Sequence, residues 1–125
     1  MAGRATILIC DDEPSLRELM RVSLEPDYTF AEASDGSEAI ELADELHPDL
    51  VLLDVMMPGP SGLSVIEHLR ERPEHAGTPV IVVSAFSADS DRVAALDAGA
   101  NGFLAKPFDP DALRSLVEEL LASRG

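Results

Sequence analysis

The chain alternates between short apolar runs and longer stretches in which apolar residues recur every three or four positions. The runs are Ile7-Leu8-Ile9-Cys10, Tyr28-Thr29-Phe30-Ala31, Leu50-Val51-Leu52-Leu53, Val80-Ile81-Val82-Val83 and Gly102-Phe103-Leu104-Ala105. Three of them are apolar throughout and rich in Leu or β-branched residues. Strands buried on both faces of a parallel sheet read this way.

Helical spacing fills the intervals. Over 14–24, Leu16, Leu19 and Met20 share one face, and Pro14 suits a first helical turn. Over 37–46 the apolar set is Ile40, Ala43 and Leu46; over 61–70 it is Val65, Ile66 and Leu69, with Ser61 as the cap. Over 89–98 it is Val93 and Leu96, with Ala100 beyond. Asp109 can cap a last helix that starts at Pro110 and buries Leu113, Leu116, Val117, Leu120 and Leu121. Five strand–helix units in alternation predict an α/β fold: an open parallel sheet with helices on both faces and right-handed crossovers. Ligands of such sheets bind beyond the carboxyl ends of the strands.

Composition narrows the reading. At 125 residues the chain has the length of one domain with a proper core. With 46% hydrophobic residues but only 4% aromatic and no Trp, that core must be aliphatic. The net charge is −15, from 24 acidic and 9 basic residues. Such a surface repels nucleic acid phosphates and anionic membranes and favours cationic partners, which argues against direct DNA binding. Cys10 is the single cysteine, so no internal disulfide can form. It sits in an apolar run and reads as a small buried hydrophobe. No apolar segment resembles a signal peptide or is long enough to cross a bilayer, so a cytoplasmic location is expected. No repeat, linker or low-complexity tract interrupts 1–125.

The strand ends carry the chemistry. Asp11, Asp12 and Glu13 follow the first run, Asp54 the third and Ser84 the fourth; Lys106 and Pro107 follow the fifth. Asp11, Asp12 and Asp54 crowded together would repel one another and raise at least one pKa, a conflict that a divalent cation removes. Oxygen-only ligands favour Mg²⁺. Lys106 can neutralise a phosphoryl oxygen as a mobile point charge, Ser84 can donate to another, and an aspartate can form an aspartyl phosphate. Each residue also has a plainer role. Asp12 suits a helix cap as well as a ligand, and a lone Lys is usually solvated. Four strand ends carrying matched oxygen and nitrogen groups argue for a joint site.

On these residues the chain resembles the response-regulator receiver family over nearly its whole length. The resemblance rests on Ile7 to Pro14 (with Asp11-Asp12-Glu13), Pro48 to Pro58 (with Asp54-Val55-Met56-Met57), Pro79 to Ala85 and Ala98 to Phe108 (with Lys106-Pro107). It implies a flavodoxin-like (βα)5 doubly wound, five-stranded parallel sheet of order 2-1-3-4-5, with 1–125 as a single receiver domain lacking an output domain. It implies phosphoryl acceptance on Asp54. Mg²⁺ or Mn²⁺ is then held by Asp12 directly, by Asp11 through water, by Asp54 and by the backbone carbonyl of Met56. Ser84 takes the hydroxyl switch position, Lys106 the phosphoryl-binding lysine and Phe103 the aromatic switch position, half exposed at rest and turning inward when Ser84 engages the phosphoryl group. Lys106-Pro107 is implied to be a cis peptide.

The implied donor is a histidine kinase or histidine phosphotransfer protein docking near the first helix. The implied reader is a downstream protein or output domain at the face of the fourth helix, fifth strand and fifth helix. A homodimer formed on phosphorylation is compatible, although no charge pairing calls for one. Met56 and Phe86, two residues after Asp54 and Ser84, are both apolar here, whereas in many members of the resembled family one or both are polar. They are expected to shield the acyl phosphate and slow its decay. His47, His68 and His75 are far apart in the chain and are not expected to be catalytic.

Three other functions fit parts of this pattern. A haloacid-dehalogenase-type phosphotransferase needs an acid–base Asp two residues after its nucleophile, where this chain has Met56. A flavodoxin needs a hydroxyl-rich phosphate loop after the first strand, where Asp11-Asp12-Glu13 repels a flavin phosphate. The third is a receiver-like interaction module that works without phosphate, against which the complete residue set argues.

Overall fold

The computed structural model describes residues 4–57, 59, 61–85 and 89–123. Five strands alternate with five helices: β1 (Thr6–Cys10), α1 (Pro14–Leu24), β2 (Thr29–Ala33), α2 (Gly36–Leu46), β3 (Leu50–Leu53), α3 (Gly62–Glu71), β4 (Val80–Ser84), α4 (Asp89–Ala98), β5 (Gly102–Ala105) and α5 (Pro110–Ser123). A single 3-10 turn, Pro73–His75, precedes β4. All strands pair in parallel, in the order β2-β1-β3-β4-β5. The open parallel α/β sheet expected from the apolar runs, and the flavodoxin-like order 2-1-3-4-5 implied by the resemblance, are therefore both observed.

Sheet position explains which runs are apolar throughout. β1, β3 and β4 each have a neighbour on both sides, and their apolar residues are buried. β2 and β5 are the edges and stay half-buried. Alternate residues of the central strands feed two cores. Leu8, Cys10, Val51, Leu53, Val80 and Val82 face Ala39 and Ala43 of α2, Val65, Ile66 and Leu69 of α3, and Ala95 of α4. Ile7, Ile9, Leu50, Leu52, Ile81 and Val83 face Met20 and Leu24 of α1 and Leu113 and Val117 of α5. Cys10 lies in the first core, and burial pushes its thiol pKa up.

The starts of α2, α3 and α5 follow capping chemistry. The Asp35 carboxylate accepts from Glu38 N at 2.8 Å, so α2 begins at Gly36, one residue before the position expected from periodicity. Ser61 caps α3 by accepting from Ser64 N. Asp109 accepts from Asp111 N at 2.9 Å ahead of Pro110, as expected. β2 runs to Ala33, and Tyr28 precedes it.

Three helical faces differ from their sequence reading. Val93 and Leu96 of α4 are 53% and 45% exposed, and Ala95 is the buried residue. Leu19 and Leu46 are also largely exposed. In a ten-residue helix two apolar stripes satisfy the same spacing, so periodicity cannot choose between them. The alanine side wins in α4 because small side chains let the helix lie close to the sheet.

The histidines, distant in sequence, converge at the end of α2. Asp44 lies 3.2 Å from His68 Nε2 and 3.0 Å from His75 Nε2, and the His47 ring stands 5.4 Å from that of His75. Burial favours the neutral Asp44 carboxyl, but the hydrogen bonds with His68 and His75 outweigh it and hold its pKa below the usual value. This cluster ties α2 to α3. Asp44 and His47 precede β3 and His75 precedes β4, so the cluster lies at the sheet edge opposite Asp54.

Gly62 closes the loop between β3 and α3. A Cβ there would lie 2.5 Å from Val55 Cα and 3.0 Å from Asp54 O, both backbone atoms. Gly62→Ala should therefore destabilise the fold by about 1–3 kcal/mol, as overpacking does. Urea denaturation checks this, and a stability equal to wild type would refute the close approach.

Candidate functional site

The carboxyl edge of the sheet is extended by backbone hydrogen bonds just past the strand ends. Asp11 N donates to Ala33 O, Asp54 N to Cys10 O and Lys106 N to Ser84 O, at 3.0, 2.9 and 2.8 Å. These bonds bring the residues after β1, β3, β4 and β5 to one edge. The Lys106-Pro107 peptide just beyond is cis, as the resemblance implied, and so is Glu25-Pro26.

Lys106 is the hub. Its Nζ donates to Asp11 Oδ2 at 2.7 Å and to Asp54 Oδ2 at 3.0 Å. Asp11 is fully buried and Asp54 nearly so. Burial disfavours the Lys106 ammonium, but the hydrogen bonds and negative charges of Asp11 and Asp54 outweigh it and raise its pKa above the ordinary value. The remaining carboxylate oxygens hold the loops: Asp11 Oδ1 accepts from Glu13 N and Asp54 Oδ1 from Met56 N, each at 2.9 Å.

The cap role weighed for Asp12 is not the one observed. Glu13 is the residue flanking α1, no side chain caps that helix, and Asp12 points into solvent. Ligand oxygens of Asp11, Asp12 and Asp54 lie within 4.8 Å of one another. Three carboxylates facing one ammonium leave two negative charges unbalanced. The donor set is oxygen only, which fits a hard divalent cation such as Mg²⁺.

Ser84 is buried at the end of β4, and Phe103 of β5 pairs with Val82 of β4, two register steps before Ser84↔Ala105 and so on the same face. The Phe103 ring is half-buried and borders a cavity of about 200 Å³ with Val55, Met56, Leu63, Ala94 and Ala95. Met56 is 55% exposed beside Asp54, while Phe86 lies outside the described residues.

Two residues at this edge carried no sequence signal. Arg17 of α1 donates to Asp11 O and, through Nε, to Glu32 at 2.9 Å, which anchors the loop after β1 to β2. Arg92 of α4 places its guanidinium carbon 5.5 Å from the Phe103 ring centroid. Both contacts join residues of different elements, which no local spacing encodes.

Among the described residues no helix is long and apolar enough to cross a membrane. The chain is similar to the nitrate/nitrite response regulator protein NarL of Escherichia coli strain K12, at 41% identity over 94% of this chain and 55% of the relative. It is similar also to the transcriptional regulatory protein ResD of Bacillus subtilis, at 40% identity over 92% of this chain and 47% of the relative. The chain thus spans about half the length of these curated relatives. Among solved structures, the receiver domain of Francisella response regulator 1452 superposes with a TM-score of 0.89 at 28% identity, covering 98% of this chain and 100% of that one. The chemotaxis response regulator CheY4 of Vibrio cholerae gives 0.88 at 27% identity, over 94% and 99%. Residues 7–118 match the family described as the response regulator receiver domain, and with the sheet order and the acidic edge already in place the chain belongs to that family, a signalling domain of two-component systems.

Proposed function

We propose that this receiver accepts a phosphoryl group on Asp54 from a phosphohistidine donor, a histidine kinase or histidine phosphotransfer protein, in a Mg²⁺-dependent reaction. The observation that carries the reading is the Lys106 ammonium held between Asp11 and Asp54, with Asp12 alongside. An Asp54 carboxylate oxygen attacks phosphorus. A P–O bond forms as the P–N bond to the donor breaks. The electron pair of that bond stays on the imidazole nitrogen, and the ring leaves neutral because its other nitrogen carries a proton.

Lys106 supplies positive charge within 3.0 Å of Asp54, where the phosphoryl charge arrives. Met56 N steadies the acceptor carboxylate, and Glu13 N steadies Asp11. Asp11, Asp12, Asp54 and the Met56 carbonyl are the groups that would hold Mg²⁺ or Mn²⁺, which when bound neutralises phosphoryl oxygens and carboxylates together. Ser84 donates to the phosphoryl group, Phe103 follows it inward, and the resulting population shift alters the α4-β5-α5 face read by a partner or output domain. The chain acts as a signalling domain turning over only its own phosphoryl group, in the cytoplasm. DNA contact is not assigned to a surface this acidic.

The test is intact mass after incubation with acetyl phosphate and Mg²⁺, beside Asp54→Ala. The expected result is one added phosphoryl group in wild type only, lost when the metal is chelated. Absence of the adduct under conditions that modify a control receiver would favour the phosphate-independent interaction module.

Met56 carries a second prediction. Its apolar, exposed side chain stands beside the acceptor, so Met56→Asn or Met56→Glu should speed decay of the aspartyl phosphate by admitting and orienting water. Equal lifetimes in both variants and wild type would remove the shielding role.

A further inference from the structure

The Phe103 ring stands between two unlike environments. One is the cavity of about 200 Å³ formed largely by Val55, Met56, Leu63, Ala94 and Ala95, whose walls are mainly apolar. Its size suffices for a phenyl ring, since an apolar cavity of ~150 Å³ accepts benzene. The other is the guanidinium of Arg92, 5.5 Å from the ring centroid and within the range of attraction between a cation and an aromatic face. Arg92 is exposed, and among the residues whose side chains are described it makes no ion pair. Its described contact is therefore the ring itself.

We propose that Arg92 is a positioning residue whose guanidinium holds the Phe103 ring at the mouth of the cavity beneath α4 and opposes its burial. Entry of the ring into the cavity breaks the cation–ring contact. The ratio of outer to inner ring positions is therefore set partly by Arg92. The contact belongs to α4 and β5, so it acts across an interface between two elements rather than within one. The consequence for signalling rests on the reading of Phe103 as the aromatic switch, whereas the ring position itself does not.

The experiment is fluorine NMR of protein carrying 4-fluorophenylalanine at its four Phe positions, with the Phe103 resonance assigned through Phe103→Leu. Wild type, Arg92→Ala and Arg92→Lys are compared without phosphate donor, with the other three resonances as a check that the fold is intact. Arg92→Ala should shift the Phe103 resonance toward its buried position, by a roughly two- to fivefold change in the ratio of ring positions, with Arg92→Lys between. An unmoved Phe103 resonance in Arg92→Ala overturns the proposal. A second arm follows acetyl phosphate uptake in a four-protein cycle. Arg92→Ala should accelerate uptake in the Phe103 background and leave it unchanged in Phe103→Leu. Equal acceleration in both backgrounds shows that Arg92 does not act through the ring, and also overturns it. If no protein takes up phosphate, the phosphoacceptor reading fails, and the NMR arm still decides the role of Arg92.

Discussion

Lys106→Ala should lose both stability and phosphoryl uptake. Removing the ammonium leaves Asp11 and Asp54 facing each other with no countercharge. Breaking a fully buried ion pair costs about 3–5 kcal/mol, and water reaches the Lys106 side chain, so the expected cost is lower, about 1–3 kcal/mol. Uptake from acetyl phosphate should fall on the order of 10²-fold, as when one preorganised donor to a developing charge is deleted. Urea denaturation in chelator and then in Mg²⁺ separates the two roles. Mg²⁺ should restore part of the stability, because it neutralises the same carboxylates, and should leave uptake impaired. Unchanged stability in chelator together with unchanged uptake would remove Lys106 from the site.

The same lysine carries a pH signature. Its folded pKa is raised above the ordinary 10.5, so its contribution is fully present below that value and is lost as pH rises through the folded pKa. The stability difference between wild type and Lys106→Ala should stay constant from neutral pH to about 10.5 and shrink above it. Lys106 is the single lysine among 125 residues, so no other lysine side chain blurs the alkaline transition.

How much of this is legible in the sequence depends on whether the information is local. Strand runs and strand-end residues are local. The apolar runs of β1, β3 and β5 end where those strands end, and that of β4 one residue short, so the alternation alone places Asp11, Asp54, Ser84 and Lys106 at one edge. The rotation of α4 was not legible, since Val93 with Leu96 and Ala95 with Ala98 satisfy helical spacing equally well. Periodicity places the start of α2 one residue late because the Asp35 cap, not the apolar stripe, sets it. Nor could the sequence bring His68 and His75 to Asp44, or Arg92 to Phe103. Those contacts depend on how helices pack side by side, which periodicity constrains only to a face.

Leu52→Ala and Leu96→Ala should differ sharply although both delete the same atoms. Leu52 is fully buried in the central strand β3, in the core that receives α1 and α5. Truncation there should cost about 2–5 kcal/mol through lost transfer energy and the cavity left behind. That is a large part of the ~5–15 kcal/mol that holds a typical domain folded. Leu96 is 45% exposed on α4, and its truncation should stay within about 0.5 kcal/mol of wild type. Urea denaturation midpoints measure both. Phosphoryl uptake by Leu52→Ala should fall with the folded fraction and recover where the variant is fully folded, because Asp54, two residues on, keeps its bond to Cys10 O whenever the sheet is intact. A large loss from Leu96→Ala would mean that α4 docks through its leucine side rather than through Ala95. The cavity beneath that helix, and the hold of Arg92 on Phe103, would then need a different geometry.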